Sequence, residues 1–420
     1  MTRFDAKAVI GAGYGDEGKG LLTDFLAAET KDTIVVRSNG GAQAGHSVVT
    51  DDGLRHVFHH IGSGALAGAR THLSRYFVAH PMLFPAEWSA LRERGAELSI
   101  TSDPRALITT PFDVAVNQAL ELARGGSRHG STGLGFGETI ERNRHPQFAV
   151  TMLDLFRPDL ARRLERIRSQ WLPARLAALG LRGLPTSIER ALDDRALGTR
   201  FIDDCERYLE RVALCPDRRL QGRGRVLFEG AQGLLLDQDY GAFPHVTRSR
   251  TGLANMLDIA AEAGIAHIEV TYVTRCYVTR HGAGPLLGEA AQLDGICMQD
   301  ATNAPNAWQG CLRVAALDTD ALQRAIAHDL THAQGRGVRV RARLAVTCLD
   351  QAVDAFTVVH GARGARLNPV HAAASIAAEA GLELGLEAWG PTRRDVRQVS
   401  SKPRTRVQEL TALPTSLELG

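Results

Sequence analysis

The most constraining feature of the chain is a strand, a glycine-rich turn and a helix that follow one another within residues 8–29, AVIGAGYGDEGKGLLTDFLAAE. Backbone N–H groups in such a turn approach an anion closely, and the helix start and Lys19 add positive charge. Against the pattern G-x-x-x-x-G-K-[ST], the match runs from Gly13 to Lys19, and Gly20 then stands where a metal-binding hydroxyl is usual. The sequence therefore predicts a phosphate-binding loop whose metal ligand lies elsewhere, and Asp16 is the natural candidate.

Apolar runs alternate with helical patterns along most of the chain. The runs TIVVRS, RVLFEGA, AHIEVTYVT and RLAVTCLD indicate buried strands, and stretches such as PAEWSALRERG and TGLANMLDIAAEAG have the helical period. This alternation predicts an α/β fold with a mainly parallel central sheet and helices on both faces, similar to phosphate-loop NTPases, with ligands at the carboxyl ends of the strands. Residues 155–222 carry few strand signals, so we predict a helical insertion within a single domain that spans residues 1–420.

The composition argues against several function classes. Hydrophobic residues make up 44% of the 420 residues, enough for a sizeable core, and no stretch approaches the ~20 apolar residues of a membrane helix. The formal net charge is only +2, so no basic field suggests nucleic acid as a partner, and the arginines near 335–342 are expected to form a solvated surface turn. The cysteines show neither C-x-x-C nor zinc spacing, which favours reduced thiols in a cytoplasmic protein.

Four motifs together resemble the adenylosuccinate synthetase family. The loop G-D-E-G-K-G is similar to the family signature, and residues 40–46, GGAQAGH, resemble its G-G-x-N-A-G-H segment with Gln43 in place of Asn. FEGAQGLLLD at 228–237, followed by FPHVT at 243–247, is similar to the nucleotide-binding stretch of the family, and TRHGAGP at 279–285 is similar to another of its segments. The motifs follow the order of the family and span most of the chain.

The resemblance implies a ligase of purine nucleotide biosynthesis, which joins L-aspartate to the 6-position of a purine monophosphate through a 6-phosphoryl intermediate. A purine 6-oxygen leaves poorly, so phosphoryl transfer from a nucleoside triphosphate has to activate it, with a base at N1 and an acid at the donor phosphates. The catalytic residues implied are Asp16 as base, His46 as acid, and Lys19; the Mg²⁺ ligands implied are Asp16 and the carbonyl of Gly45. The family also implies GTP as the phosphate donor and a homodimer.

The remaining family positions give a nucleotide-binding set. Ser131 and Thr132, in GSTGLGFG, match the segment for the substrate phosphate, although the two hydroxyls are also compatible with capping a turn. Either Arg142 or Arg144 corresponds to an arginine that crosses the dimer interface. Asp350, after the run LAVTCL, resembles the acid that accepts two coplanar donors from guanine. The full set is Gly15, Glu17, Gly18, Gly20, Gln43, Ser47, Ser131, Thr132, Gln232, Thr247, Asp350 and Gly390.

The segment that should bind the amino acid departs from the family pattern. Ordinary members carry an arginine-rich T-T-G-R-R-R-R-T-G, whereas residues 302–310 are TNAPNAWQG. We still assign Thr302 and Asn303 to aspartate binding. A dicarboxylate site without its guanidinium groups needs a replacement charge, and Arg313 and Arg280 are the nearest candidates to supply it.

Three alternatives stay open from the sequence. Cys348 and the segment AWGPTRR depart from the usual surroundings of the base next to Asp350, so ATP is an alternative to GTP. Features such as G-K-G-L resemble a phage branch that makes 2-aminoadenylosuccinate from dGMP, but that branch tends to lose the loop aspartate, and the presence of Asp16 favours IMP. A homologue that binds nucleotides without ligating them is the third alternative, against which Asp16, Lys19 and His46 argue.

Overall fold

A ten-stranded sheet forms the centre of the computed structural model. The structure describes residues 5–125, 128, 130–181, 184–194, 196–290, 293–298, 312–361 and 363–399. Its strands are β1 (Asp5–Gly11), β2 (Thr33–Arg37), β3 (His46–Val49), β4 (Arg55–Phe58), β5 (Arg70–Leu73), β6 (Val78–Ala79), β7 (Ile100–Ser102), β8 (Leu107–Ile108), β9 (Val212–Leu214), β10 (Arg225–Gly233), β11 (His267–Arg275), β12 (Tyr277–Arg280), β13 (Glu289–Ala290), β14 (Arg313–Asp318), β15 (Arg339–Thr347), β16 (Phe356–His360), β17 (Arg363–Leu367), β18 (Glu383–Ala388) and β19 (Val396–Gln398).

The central sheet is almost entirely parallel. Its order is β19-β18-β15-β11-β1-β10-β2-β5-β7-β9, and every neighbouring pair is parallel except β18 and β19. All residues of β2 are buried, as are most residues of β1 and β10, because both faces of the sheet are covered. This burial explains why these strands are continuous apolar runs in the sequence.

Helices follow most of the parallel strands. They are α1 (Lys19–Ala28), α2 (Phe84–Glu93), α3 (Pro111–Arg124), α4 (Phe136–Asn143), α5 (Leu160–Arg166), α6 (Leu172–Ala178), α7 (Thr186–Asp193), α8 (Leu197–Leu209), α9 (Leu253–Ala263), α10 (Thr319–Thr331) and α11 (Pro369–Glu379). A π-helical turn, Ile167–Trp171, joins α5 to α6. Side-chain caps fix where two of these helices begin. Thr110 and Asp113 form a capping box at α3, and the Asp318 side chain accepts the N–H of Ala321 at α10.

A smaller sheet is attached to the carboxyl edge of the main one. Its order is β12-β14-β16-β17, and β13 pairs with β14 as well. Only Cys276 separates the end of β11 from the start of β12, so the chain passes directly from the main sheet into the smaller one. The loop after β12 therefore lies beside the loop after β1, and this places two distant parts of the sequence together.

The structure confirms the predicted α/β fold and its mainly parallel sheet. The segment 155–222 is mostly helical but also contains β9, which pairs with β7 and extends the sheet by one strand. A single domain over the whole chain stays a prediction. The expected surface turn at 335–342 is wrong in its second half, because Arg339 begins β15, where the exposed Arg341 pairs with Glu383. In the part of the chain described here, no helix is long and apolar enough to cross a membrane.

Candidate active site

The loops that carry the predicted residues meet at the carboxyl edge of the central sheet. β1 leads into the glycine-rich loop, β2 into residues 38–45, and β10 ends at Gln232 and Gly233. β15 leads into a short 3₁₀ turn, Leu349–Gln351. In a parallel sheet all of these ends lie on one side, so residues far apart in sequence converge there.

Glu17 occupies the anion position inside the glycine-rich loop. Its Oε1 accepts the N–H of Gly13 at 3.0 Å and that of Gly15 at 2.7 Å, and its Oε2 accepts from the Lys19 ammonium at 2.6 Å. Both charged side chains are buried, with exposed fractions of 5% and 3%. Two amides expected to hold phosphate are therefore already satisfied by a carboxylate of the chain itself.

Glycine backbone makes room for this buried carboxylate. A Cβ atom at Gly11 would lie 2.3 Å from one carboxylate oxygen of Glu17, and a Cβ at Gly233 would lie 2.6 Å from the other. The first turn of α1 keeps its N–H groups uncapped by side chains. The start of α1, rather than the turn that precedes it, thus keeps main-chain N–H groups that no side chain caps.

Asp16 is held from its main chain and from its side chain. It has a φ of +62°, and its carbonyl oxygen accepts from Nε of Arg275 at 2.5 Å. Its Oδ2 lies 3.2 Å from Nε2 of His281. Burial by itself would raise the pKa of Asp16, but the hydrogen bond and charge of His281, with the charges of Arg275 and Lys19, hold that pKa below 3.8. Asp16 is therefore an ionised acceptor, and 27% of its side chain is exposed.

The start of α1 packs directly against the start of β3, which carries His46. A Cβ atom at Gly20 would lie 2.6 Å from the carbonyl oxygen of Ser47 and 3.2 Å from Cβ of His46. Any side chain at position 20 would force the two segments apart. The missing hydroxyl of the phosphate-loop pattern is therefore explained by a close approach that brings the two predicted catalytic loops together.

A buried carboxylate orients the imidazole of His46. Nδ1 of His46 lies 2.6 Å from Oε1 of Glu229, and Oε2 of Glu229 accepts the N–H of Ser63 at 3.1 Å. The hydroxyl of Ser63 also donates to Glu229, and Nε of Arg37 lies 3.9 Å from it. Burial would raise the pKa of Glu229, but the charges of His46 and Arg37 and these hydrogen bonds lower it to about 2. An ionised Glu229 keeps a proton on Nδ1 and leaves Nε2 pointing away from it.

Several buried polar atoms near His46 have no hydrogen-bond partner among the described residues. They are Nε2 of His46, both amide atoms of Gln43, and Oε1 of Gln232. The two side-chain amides lie close to the same residue: a Cβ atom at Gly40 would lie 3.6 Å from Oε1 of Gln232 and 3.8 Å from Nε2 of Gln43. Unpaired buried polar groups are costly, so this cluster is suited to a polar ligand.

A second pocket element lies at the end of β15. Oγ1 of Thr347 donates to the carbonyl of Glu17 at 2.7 Å, and Cys348 has a φ of +58° that turns the chain into the 3₁₀ segment. Asp350 is exposed there, and partial desolvation together with the nearby Asp395 raises its pKa. Trp389, at the end of β18, donates from its indole to Glu387 at 3.3 Å. The end of β15, three residues before the predicted base-binding carboxylate, is thus hydrogen-bonded to the glycine-rich loop.

Comparison with known proteins shows the family of the chain. A family model described as adenylosuccinate synthetase matches residues 8–333. The chain belongs to the adenylosuccinate synthetase family. The adenylosuccinate synthetase of Xylella fastidiosa strain M12 is 32% identical over 331 residues, covering 76% of this chain and 73% of the relative. That of Syntrophotalea carbinolica is 31% identical over 310 residues, covering 71% and 70%. The chain is therefore a member of a family of carbon–nitrogen ligases.

Solved structures of adenylosuccinate synthetase type share the fold. The fully ligated adenylosuccinate synthetase from Plasmodium falciparum superposes with a TM-score of 0.70 at 18% identity, covering 95% of this chain and 100% of the other. The succinoaminodeoxyadenylate synthetase of cyanophage S-2L, bound to dGMP and to dATP as an energy donor, gives 0.60 at 18% identity, covering 95% and 96%. At this identity the two likenesses show a common architecture.

The adenylosuccinate synthetase motifs lie around one site in this chain. The loop that carries Asp16 and Lys19 contacts the loop of Gln43 and His46 through Gly20, and Gln232 lies beside both. Ser131 accepts from the Asn117 amide at 2.9 Å, in a loop whose Gly130 packs on residues 282–283. The roles of all these residues, and of Gly15, Glu17, Gly18, Ser47, Thr132, Thr247, Asp350 and Gly390, stay predictions. Thr302 and Asn303 lie outside the described residues.

Three arginines considered for ligand or partner contacts are engaged within the chain. Arg142 is fully buried, with Nε and Nη2 each 2.9 Å from Asp113, whereas Arg144 is 65% exposed; an interface role for either stays a prediction. Arg280 is also buried, and its guanidinium donates to main-chain carbonyls of the loop after β12. Arg313 binds that same loop and forms an ion pair with Glu289. Both guanidinium groups therefore already bind this loop, and the assignment of Arg313 or Arg280 to aspartate stays a prediction.

Three residues of the site carry little signal in the sequence. Glu229 interrupts the apolar strand RVLFEGA, and a charged residue in a buried strand is itself a sign of function. Arg275 ends a similar strand. His281 stands in a short loop without periodicity, and nothing local indicates that it contacts Asp16, which lies 265 positions earlier.

Proposed function

We propose that the chain joins L-aspartate to the 6-position of IMP, by way of a 6-phosphoryl intermediate formed from a nucleoside triphosphate, and so acts in purine nucleotide biosynthesis. The observation that supports this most is the close contact between the start of α1, which follows the ionised Asp16, and the start of β3, which carries the carboxylate-oriented His46. Asp16 provides a base, His46 provides an N–H donor or acid, and the start of α1 provides a site for phosphate. We also propose a homodimer and a cytoplasmic location.

Each of these residues has a definite task in that reaction. Asp16 accepts the proton from purine N1, which makes the 6-oxygen nucleophilic towards the terminal phosphate. When the His46 ring carries a proton on both nitrogens, Nε2 donates to the phosphate oxygens on which charge develops, and Glu229 holds Nδ1 and stabilises that imidazolium. The Lys19 ammonium has three protons and uses one on Glu17, so the others remain for phosphate oxygens.

The residues present fit Mg²⁺. This ion prefers oxygen ligands and usually keeps waters and substrate phosphate oxygens in its shell. Asp16 offers a partly exposed carboxylate and Gly45 an exposed main-chain carbonyl. Across the described segments, no group of three or more His, Cys, Asp or Glu residues could hold a metal alone. Substrate phosphates would complete the shell, where the ion would neutralise the charge of the transferring group.

GTP is the proposed phosphate donor. A carboxylate that accepts two coplanar donors distinguishes guanine from adenine, because adenine offers no such pair. Asp350 is exposed in the 3₁₀ turn after β15, whose last residue, Thr347, donates to the carbonyl of Glu17, and it is suited to this contact. ATP remains the alternative because the neighbouring Cys348 and Trp389 offer a less polar surface.

Replacing Asp350 by alanine is expected to remove the preference for GTP over ATP. A site built on matched donors rejects the wrong base by about 10⁴-fold, whereas an apolar slot discriminates by about 10²-fold or less. The measurement is kcat/KM for GTP and for ATP in both proteins. Asp354→Ala, four residues further along the same surface, is the control. Efficient use of ATP by the parent, unchanged in Asp350→Ala, would show that Asp350 does not bind the base.

A second candidate substrate is dGMP. The cyanophage protein that shares the fold is bound to dGMP, and this chain lacks the arginine-rich segment of ordinary family members. Asp16 argues for IMP, because the phage branch that uses dGMP tends to lose the loop aspartate, which makes room for the 2-amino group. The chemistry of the 6-position is the same in both cases.

A substrate matrix tests the proposed function. IMP, dGMP and GMP are each combined with GTP, ATP or dATP, with and without L-aspartate, and phosphate release and nucleotide mass are measured. We expect aspartate-dependent phosphate release with IMP and a product that has gained aspartate. A preference for dGMP would establish the second candidate. Nucleotide binding without turnover in every combination would contradict a ligase.

A further inference from the structure

The loop after β12 is fixed by two arginines. Nη1 of Arg280 donates to the carbonyl of Pro285 at 2.8 Å, and Nη2 donates to that of Ala283 at 3.1 Å. Nη1 of Arg313 donates to the carbonyls of Gly282 at 3.0 Å and Gly284 at 2.9 Å. Four consecutive carbonyls, from 282 to 285, are therefore held by guanidinium groups, and the residue that precedes them is His281.

Neighbouring segments also enclose this loop. The Arg280 guanidinium lies 4.4 Å from the ring centre of Tyr14, and it donates to the carbonyl of His245 at 3.1 Å. On the other side, a Cβ atom at Gly130 would lie 2.5 Å from Cα of Gly282. The loop is thus wedged between the glycine-rich loop, the segment after β10 and the predicted substrate-phosphate segment. Its position leaves His281 little freedom.

This loop presents His281 to Asp16. Nε2 of His281 lies 3.2 Å from Oδ2 of Asp16, and 19% of the His281 side chain is exposed. Asp16 is also held through its main chain by Arg275, at a φ of +62°. Arg275 at the end of β11 therefore holds the main chain of Asp16, and His281 in the loop after β12 holds its carboxylate.

We propose that His281 is a positioning residue for the reaction, which binds one oxygen of Asp16 so that the other oxygen faces purine N1. The inference rests on the proposed function and adds a residue to it. His281 acts through Asp16 alone and needs only an N–H on Nε2, which both the neutral tautomer protonated there and the imidazolium provide. A carboxylate held on one side has fewer orientations to lose when the purine binds.

Two substitutions separate positioning from packing. His281→Val removes the donor, and His281→Gln places an amide N–H close to where Nε2 lies. We expect His281→Val to lower kcat with IMP by about 10- to 100-fold and to leave KM for GTP within about twofold, since the variant keeps Asp16 and with it the proposed Mg²⁺ ligand. His281→Gln should recover most of the lost kcat. Thermal unfolding of both variants checks that the fold is intact.

The same change in an Asp16→Asn background supplies the deciding measurement. If His281 acts only through the carboxylate, adding His281→Val to Asp16→Asn should cause no further loss of product formation. An equal loss in both backgrounds, a His281→Gln variant as slow as His281→Val, or a His281→Val variant with parental kcat would each overturn the inference. A parent protein without aspartate-dependent turnover would instead overturn the proposed function, and the inference with it.

Discussion

Replacing Asp16 by asparagine is expected to remove most turnover and to leave the fold intact. Asparagine keeps the shape of the side chain and tolerates a positive φ, so the loop conformation at +62° should persist. The base and a proposed metal ligand are lost. A general base contributes about 10²- to 10⁴-fold, and kcat with IMP should fall by that factor. Steady-state kinetics, with binding of GTP measured by calorimetry, checks this result.

Asp32 offers a matched control for this substitution. It is also an aspartate with positive φ, +65°, but it precedes β2 at the opposite edge of the sheet and pairs with the exposed Arg70. Asp32→Asn should leave kcat unchanged. An Asp16→Asn variant within a factor of three of the parent would show that another group takes the N1 proton.

Replacing His46 by asparagine is the second change with a large expected effect. It removes the N–H donor or acid at the donor phosphates. Glu229 then has no imidazole to orient. We expect kcat to fall by about 10²- to 10³-fold, with a smaller rise in KM for the triphosphate. Glu229→Gln, which retains His46 but removes the charge that orients it, should lower kcat by less.

His267→Asn is the control for this pair. His267 lies at the amino end of β11, 3.0 Å from Asp5, so it repeats a histidine–carboxylate pair on the opposite side of the sheet. Its replacement should leave kinetics unchanged. If His46→Asn retained parental kcat, His46 would be a structural partner of Glu229 and the donor phosphates would be stabilised by other groups.

The fold, and the glycine-rich loop that carries Asp16 and Lys19, follow from local sequence signals. Each strand and helix quoted from the sequence has its own periodicity, and the chain order of strands and helices requires parallel pairing. Glycine spacing around Asp16 and Lys19 marks the loop, because glycines there permit backbone conformations that other residues resist. The predicted loops then converge for a topological reason: they all follow parallel strands.

Long-range contacts account for what the sequence did not indicate. The sequence places Glu17 in an anion-binding loop, but only the structure shows that its carboxylate fills the niche between Gly11 and Gly233. Arg280 and Arg313 are cations near the site in sequence, yet their acceptors are carbonyls turned inward by the glycines of residues 282–284. Such pairings depend on tertiary geometry, which neither residue type nor local spacing encodes.

The most direct test of the account follows the 6-oxygen of the purine. IMP carrying ¹⁸O at the 6-position is incubated with GTP, Mg²⁺ and L-aspartate, and the released phosphate is analysed by mass. Because the 6-oxygen becomes part of the phosphoryl group before aspartate displaces it, we predict that the label appears in inorganic phosphate in proportion to the product formed. Product formation with unlabelled phosphate and label released to water would contradict the 6-phosphoryl intermediate, and with it the roles assigned to Asp16 and His46.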